Sequence, residues 1–259
     1  MTAGGGAFVR LVSRNSIATL VAVAIIVLLC WWYLVEMAAG MGAVDVGEVM
    51  AFRAWTPSYF VMMFVMWTIM MIAMMFPSAT PMILLYRQVA IKNHLSHAAT
   101  GTALFIGGYV VIWMVFSLVA TVLQWLLEQW ALLSPMMRSQ DQVFSGAMLI
   151  FAGLYQWSPW KNACLRHCRG PFFFITRHWR SGLDGAFRMG LIHGGYCLGC
   201  CCALMALLFV GGVMDLMVIA VIAIVVLLEK LMPGGERLAR CLGTAAVVLG
   251  GGLVGFSLA

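Results

Sequence analysis

Long apolar runs dominate this sequence and constrain its fold more than any other feature. A helix needs about 20 mostly apolar residues to cross the hydrocarbon core of a membrane. The apolar fraction is 64% and the charged fraction only 9%, whereas a soluble domain is about half apolar and about a quarter charged. These proportions exclude a soluble globular enzyme, a disordered chain and a nucleic-acid-binding domain. We therefore predict an all-α fold, a polytopic transmembrane helix bundle. Its seven predicted spans are roughly residues 16–37, 58–86, 101–128, 142–158, 188–211, 213–232 and 238–257.

The basic residues predict the orientation of these spans. If the N-terminus is in the cytoplasm, all of the 15 Lys and Arg residues fall on the inner side except Arg53 and Arg138. This is the distribution that the positive-inside rule requires. The C-terminus is then outside. We expect residues 1–259 to form a single membrane domain of the bacterial inner (cytoplasmic) membrane, with a basic inner-leaflet loop over residues 159–187. In the last span, Gly251-x-x-x-Gly255 predicts close helix packing.

The second span carries a stripe of methionines. Four of them fall on one face of a helix with 3.6 residues per turn: Met63, Met66, Met70 and Met74. Thioethers are soft ligands that suit Cu(I), but methionine is also a flexible filler of helix cores. Pro77 and Pro81 should kink or unwind the helix beyond the stripe.

The fifth span carries a histidine and a run of cysteines. His193, Cys197 and Cys200 lie on one helix face, Cys201 lies beside it, and Cys202 points elsewhere. At 1.5 Å per residue, Cys200 and Met70 each lie about 18 Å along their spans, near the middle of the membrane. The sequence predicts a joint soft-metal site, with copper the preferred ion. Its predicted ligands are Met70, Met74, His193, Cys197, Cys200 and Cys201.

A second group of soft ligands stands in the basic segment. Cys164 and Cys168 are four residues apart with His167 between them. The basic neighbours of these residues favour thiolate over thiol, and they are Lys161, Arg166 and Arg169. This pattern predicts a secondary metal site for metal arriving from the cytoplasm, or else two unrelated reduced thiols.

Two blocks of the sequence resemble one known family. The first is Trp67-x-x-Met70-Met71-x-x-Met74-Met75-x-Pro77-x-x-x-Pro81, the second is Gly195-x-Cys197-x-Gly199-Cys200-Cys201-x-x-Leu204-Met205, and Glu229-Lys230 follows. Together they resemble a bacterial family of predicted metal-binding integral membrane proteins, a domain of unknown function, over roughly residues 58–257. The resemblance implies a multi-helix membrane protein that binds metal. It does not supply a reaction.

Three functions stay open at this level. The first is binding of a soft transition metal, copper before other metals, for metal handling or for loading a membrane metalloenzyme. The second is an accessory subunit of a larger membrane complex such as a monooxygenase, an oxidase or a photosynthetic assembly. The third is a thiol oxidoreductase using the Cys197-x-x-Cys200 spacing. No phosphate-binding loop, paired carboxylates or nucleophile elbow is present, which favours a non-enzymatic role. The expected partners are the bilayer and other membrane subunits or a metalloenzyme, and no nucleic acid.

Overall fold

The computed structural model describes residues 14–42, 55–93, 97–130, 139 and 141–258, and these fold into helices. The helices are α1 (Arg14–Gly42), α2 (Pro57–Lys92), α3 (Ala98–Gln129), α4 (Gln142–Trp157), α5 (Pro159–Arg169), α6 (Pro171–His178), α7 (Leu183–Ala206), α8 (Leu208–Gly211), α9 (Leu216–Leu231) and α10 (Gly235–Leu258). The all-α prediction is therefore confirmed for the described residues.

Within the described residues, five helical segments, rather than seven, are long and apolar enough to cross a membrane. They are Ile17–Gly40, Pro57–Lys92, Ala98–Gln129, Leu183–Gly211 and Gly235–Ser257. The predicted spans at 142–158 and 213–232 become α4 and α9, each of 16 residues and therefore about 24 Å long. The predicted orientation of the N- and C-termini stays a prediction.

Capping residues explain why α4 and α9 are short. The carboxylate of Asp141 accepts hydrogen bonds from the backbone N–H groups of Val143 and Phe144 and so begins α4. Asp215 begins α9 in the same way. A proline stands two residues after the last residue of each helix, Pro159 after α4 and Pro233 after α9. Proline does not continue a helix.

Helix α2 runs without a break through both of its prolines. Of the predicted kink or unwinding at Pro77 and Pro81, the unwinding is therefore wrong, and the kink stays a prediction. Two neighbouring hydroxyls bond to backbone carbonyls of the same helix, Ser78 to Met75 and Thr80 to Phe76, at 2.9 Å each. Both buried hydroxyls are thereby satisfied within the helix.

Two helix pairs pack closely at glycines. A side chain at Gly190 of α7 would lie 2.0 Å from the backbone oxygen of Phe105 in α3, so only glycine allows this approach. Helices α4 and α10 meet through Gly243 and Gly250. Gly251 and Gly255, the pair predicted to pack, have open space around them, because they lie on another face of α10.

The basic segment 159–187 is helical rather than a loop, since α5, α6 and the first turn of α7 lie within it. Lys161 of α5 is fully buried, and its ammonium lies 2.6 Å from the carboxylate of Glu229 in α9. Gln156 donates to the other oxygen of the same carboxylate at 3.1 Å. This ion pair ties α5 into the bundle, where it packs against α7.

Candidate metal site

The three cysteines of α7 that were predicted as metal ligands lie in one buried region. Cys197, Cys200 and Cys201 are each no more than 2% exposed. The thiols of Cys200 and Cys201 both donate to the backbone oxygen of Cys197, at 3.1 and 2.9 Å. One helical turn therefore holds three sulfur atoms close together inside the protein. We call these three residues the α7 thiols.

A methionine of α2 contacts the α7 thiols. The Sδ atom of Met75 lies 3.8 Å from the Sγ atom of Cys201, and Met75 is fully buried. Met70 and Met74 are also buried in α2, but the sulfur that meets Cys201 belongs to Met75. The proposed roles of Met70 and Met74 as ligands stay predictions.

A buried lysine lies beside Cys197. The Nζ atom of Lys230 is 3.0 Å from Cys197 Sγ, 3.1 Å from Ser78 Oγ and 3.9 Å from Met75 Sδ. The salt bridge found among the described residues joins Lys161 to Glu229. Lys230 therefore has no carboxylate partner in the described part of the chain. Its polar neighbours are a thiol, a hydroxyl and a thioether.

Tyr109 of α3 completes the surroundings of Cys197. Its hydroxyl lies 3.0 Å from Cys197 Sγ and 3.5 Å from the backbone oxygen of Met75. Tyr109 is 1% exposed. Helices α2, α3, α7 and α9 therefore all contribute a group to the space around Cys197.

His193 lies one turn before Cys197, inside an aromatic cage. Its ring centroid is 5.3 Å from that of Phe174, 5.7 Å from Tyr109 and 6.0 Å from Phe105. The Nδ1 atom of His193 is buried and has no hydrogen-bond partner among the described residues. A buried imidazole nitrogen without a partner is available to a ligand. The assignment of His193 as a ligand stays a prediction.

The second cysteine group joins the first. Cys168 Sγ lies 3.9 Å from Cys200 Sγ, although the two residues come from different helices. A side chain placed at Gly199 would come within 2.8 Å of Cys164 Sγ, so Cys164 also touches α7. His167 stacks on Tyr196 with 4.1 Å between ring centroids. The two predicted metal groups are therefore neighbours rather than separate sites.

Charges around the second group differ from the sequence-based expectation. The three basic neighbours are directed elsewhere: Lys161 pairs with Glu229, Arg169 donates to the backbone oxygen of Met232 at 2.7 Å, and Arg166 is exposed. Burial, together with the nearby thiols of Cys200 and Cys202, raises the pKa of Cys164 above its ordinary value. The basic residues of α5 therefore do not favour a thiolate at Cys164.

The short helices end at the level of these sulfur atoms. The hydroxyl of Tyr155, near the end of α4, donates to the backbone oxygen of Gly199. Lys230, near the end of α9, reaches Cys197. Helix α5 also packs against α7, where Cys168 meets Cys200.

The arrangement suits a soft ion with few ligands. No three His, Cys, Asp or Glu side chains in the described ranges converge at metal-binding distances. The sulfur pairs, however, are 3.8 and 3.9 Å apart. The Cys201 thiol and the Met75 thioether would be the donors that hold such an ion. Thiols and a thioether are the donors that Cu(I) prefers.

Met75, Lys230 and Tyr109 did not enter the predicted ligand set. Met75 is one position away from the predicted methionine face. Lys230 stands near the end of an apolar helix, and an ionisable residue inside a membrane segment is a sign of function. Tyr109 carries no distinguishing sequence pattern, because its neighbours are apolar and small.

Comparison with known proteins agrees with this chemistry. A search of curated proteins and a search of solved structures find no match. A family model, PpoB2, described as a copper chaperone, matches residues 64–253. The match includes both sequence blocks, the α7 thiols, Cys168 and Lys230. Because it spans well over half of the chain, the protein belongs to the PpoB2 copper chaperone family.

Proposed function

We propose that the protein is a membrane-embedded chaperone that holds Cu(I) at the α7 thiols and Met75 and then loads a membrane metalloenzyme. The observation that carries the proposal is the contact of soft donors from separate helices. Cys201 of α7 meets Met75 of α2 at 3.8 Å between sulfur atoms. Copper is the cargo of this site.

Lys230 supports a monovalent cargo. Cu(I) bound by two thiolates carries a net charge of −1, and a buried charge is costly unless an opposite charge stands beside it. The ammonium of Lys230, 3.0 Å from Cys197 Sγ, supplies that charge. A divalent ion with the same two thiolates and Lys230 would leave a net charge of +1 in a buried space.

Burial supports holding rather than free exchange. The α7 thiols and Met75 are at most 2% exposed, which protects bound Cu(I) from oxidation and from competing ligands. The cysteines within the described residues are all free. Reduced thiols are the state required for binding Cu(I).

Copper stoichiometry tests the proposal. The full chain is purified in mild detergent, incubated with Cu(I) under anaerobic conditions, and assayed for copper across a gel-filtration peak. We expect about one copper per chain or more, lost in a Cys197→Ser/Cys200→Ser double variant because the sulfur ligands are gone. Cys241→Ser is the matched control, since Cys241 is exposed on α10 and outside the cluster.

Equal copper in the double variant and the wild type would overturn the proposal. Mass-shift alkylation of the same samples tests the oxidoreductase alternative, which requires a reversible disulfide between Cys197 and Cys200. Metal-protected thiols that become reactive on copper removal support the chaperone. Copurification of a metalloenzyme would identify the recipient, while partners at fixed stoichiometry without copper would favour the accessory-subunit alternative.

A further inference from the structure

Helix α5 directs both of its cysteines at α7. Cys164 and Cys168 stand one helical turn apart and so share a face. Cys168 Sγ is 3.9 Å from Cys200 Sγ. Cys164 Sγ fills the space that a side chain at Gly199 would occupy, at 2.8 Å. The lack of a side chain at position 199 is what lets α5 bring both sulfur atoms against α7.

Exposure falls from α5 to α7. Cys164 and Cys168 are half-buried, whereas the α7 thiols are buried. The Cys168–Cys200 contact joins a half-buried residue to a buried one. An ion can therefore reach the α7 thiols through the sulfur atoms of α5.

The accessible side of this cysteine pair is polar. Arg166 is exposed, and Arg169 donates to the backbone oxygen of Met232 in the turn between α9 and α10. The Nδ1 atom of His167 is bonded to the backbone oxygen of Ala163 at 2.8 Å, which leaves Nε2 for other ligands. Because charged side chains avoid hydrocarbon, this end of α5 faces water or lipid headgroups.

We propose that Cys164 and Cys168 form a receiving port that takes Cu(I) from a thiolate complex in the aqueous phase and passes it from Cys168 to Cys200. The inference rests on the proposed function and adds a route to it. The surrounding arginines place the port on the cytoplasmic side by the positive-inside rule. The port and the α7 thiols are thus two stations for one ion.

Transfer needs only ligand exchange. The Cys168 thiolate binds copper as one donor sulfur leaves, and the Cys200 thiolate then binds the same copper as Cys168 leaves. Each exchange forms one copper–sulfur bond and breaks one, and the metal stays Cu(I) throughout. The proton of the accepting thiol passes to the thiolate that is released. Sulfur atoms 3.9 Å apart allow the ion to contact both during the exchange.

Loading kinetics test the port separately from the holding site. The detergent-purified chain is mixed with the Cu(I) complex of bicinchoninate, and loss of its colour is followed by stopped flow. We expect Cys168→Ser to slow loading about tenfold or more while the final copper content stays at the wild-type level. Cys200→Ser should lower the final content instead. Cys202→Ser is the matched control, because Cys202 is also half-buried but lies on α7.

Three outcomes of the loading experiment distinguish a failure of the port from a failure of the proposed function. An unchanged loading rate in Cys168→Ser overturns the port, and so does a loss of copper content equal to that of Cys200→Ser. Absence of copper uptake in the wild type overturns the proposed function itself. Gel filtration and circular dichroism confirm that each variant is folded.

In oriented vesicles, an impermeant maleimide should label Cys168 from the cytoplasmic side only, and Cu(I) should block the labelling. Labelling from the other side alone overturns the route.

Discussion

Two buried lysines lie on neighbouring parts of the bundle, and their partners differ. Lys161 pairs with the carboxylate of Glu229 at 2.6 Å, and Gln156 bonds to the other oxygen. Lys230, the residue next to Glu229, faces a thiol, a hydroxyl and a thioether. The first lysine has its counter-charge within the protein. Under the proposed function, the second offsets the negative charge of a copper–thiolate complex. The contrast separates a structural ion pair from a site arranged for a ligand.

Removing the charge of Glu229 should have the largest effect, and it should fall on stability. Glu229→Gln leaves the buried ammonium of Lys161 without a counter-ion, and we expect a loss of about 3–5 kcal/mol. Thermal unfolding in detergent, followed by circular dichroism, measures the change. The exposed Asp184→Asn variant is the control. A melting temperature like that of the control would show that the ion pair does not hold α5 in place.

Removing the charge of Lys230 should act on copper instead. In Lys230→Met the side chain keeps its length but no longer neutralises the metal–thiolate complex, and we expect copper affinity to fall about tenfold, or about 1.4 kcal/mol. Competition with a Cu(I) chelator measures the dissociation constant. Lys92→Met, at the exposed end of α2, is the control. A destabilised variant with normal affinity would mean that the two lysines play the same role.

The α2 methionines sharpen the comparison further. Met75→Leu removes the thioether that contacts Cys201, and we expect copper affinity to fall several-fold because one soft ligand is lost. Leucine and methionine are similar in volume, so stability should change by less than about 1.5 kcal/mol. Met70→Leu and Met74→Leu, assayed by the same competition, test the ligands predicted from the sequence. A loss in Met70→Leu but not in Met75→Leu would place the ion elsewhere along α2.

The smallest expected effect is that of Tyr109. Tyr109→Phe removes the hydroxyl 3.0 Å from Cys197 Sγ and keeps the ring that packs against His193. A typical hydrogen bond contributes about 1 kcal/mol, so copper affinity should change about fivefold or less. Chelator competition and thermal unfolding separate binding from packing. A change larger than that of Lys230→Met would make the hydroxyl, rather than the ammonium, the main polar partner of Cys197.

Periodicity and composition predicted the helices but not which of them are long enough to cross a membrane. The apolar runs identify α1, α2, α3, α7 and α10 because each is longer than a membrane requires. For α4 and α9 the predicted bounds agree with the structure to within one and three residues, but Asp141, Asp215 and the following prolines limit each helix to 16 residues. Capping is local chemistry that an average over an apolar window does not register.

The candidate site was predictable in its chemistry and less so in its detail. The i, i+3, i+4 spacing of Cys197, Cys200 and Cys201 places them together on α7, as the structure has them. Which methionine meets them depends on how α2 is rotated in the bundle, and one residue of difference selects Met75. The return of α5 onto α7 depends on the pairing of Lys161 with Glu229, 68 residues apart. Such long-range pairing leaves no trace in a local pattern.

The shortness of α4 and α9 has a consequence for the lipid around them. A helix of about 24 Å is shorter than a hydrocarbon core of about 30 Å, and such a mismatch is relieved when the bilayer thins locally. Headgroups and water should therefore dip towards the C-terminal ends of these helices, near which Tyr155 and Lys230 reach α7. Under the proposed function, the dry distance between a soluble copper donor and the buried thiols is then a fraction of the membrane thickness.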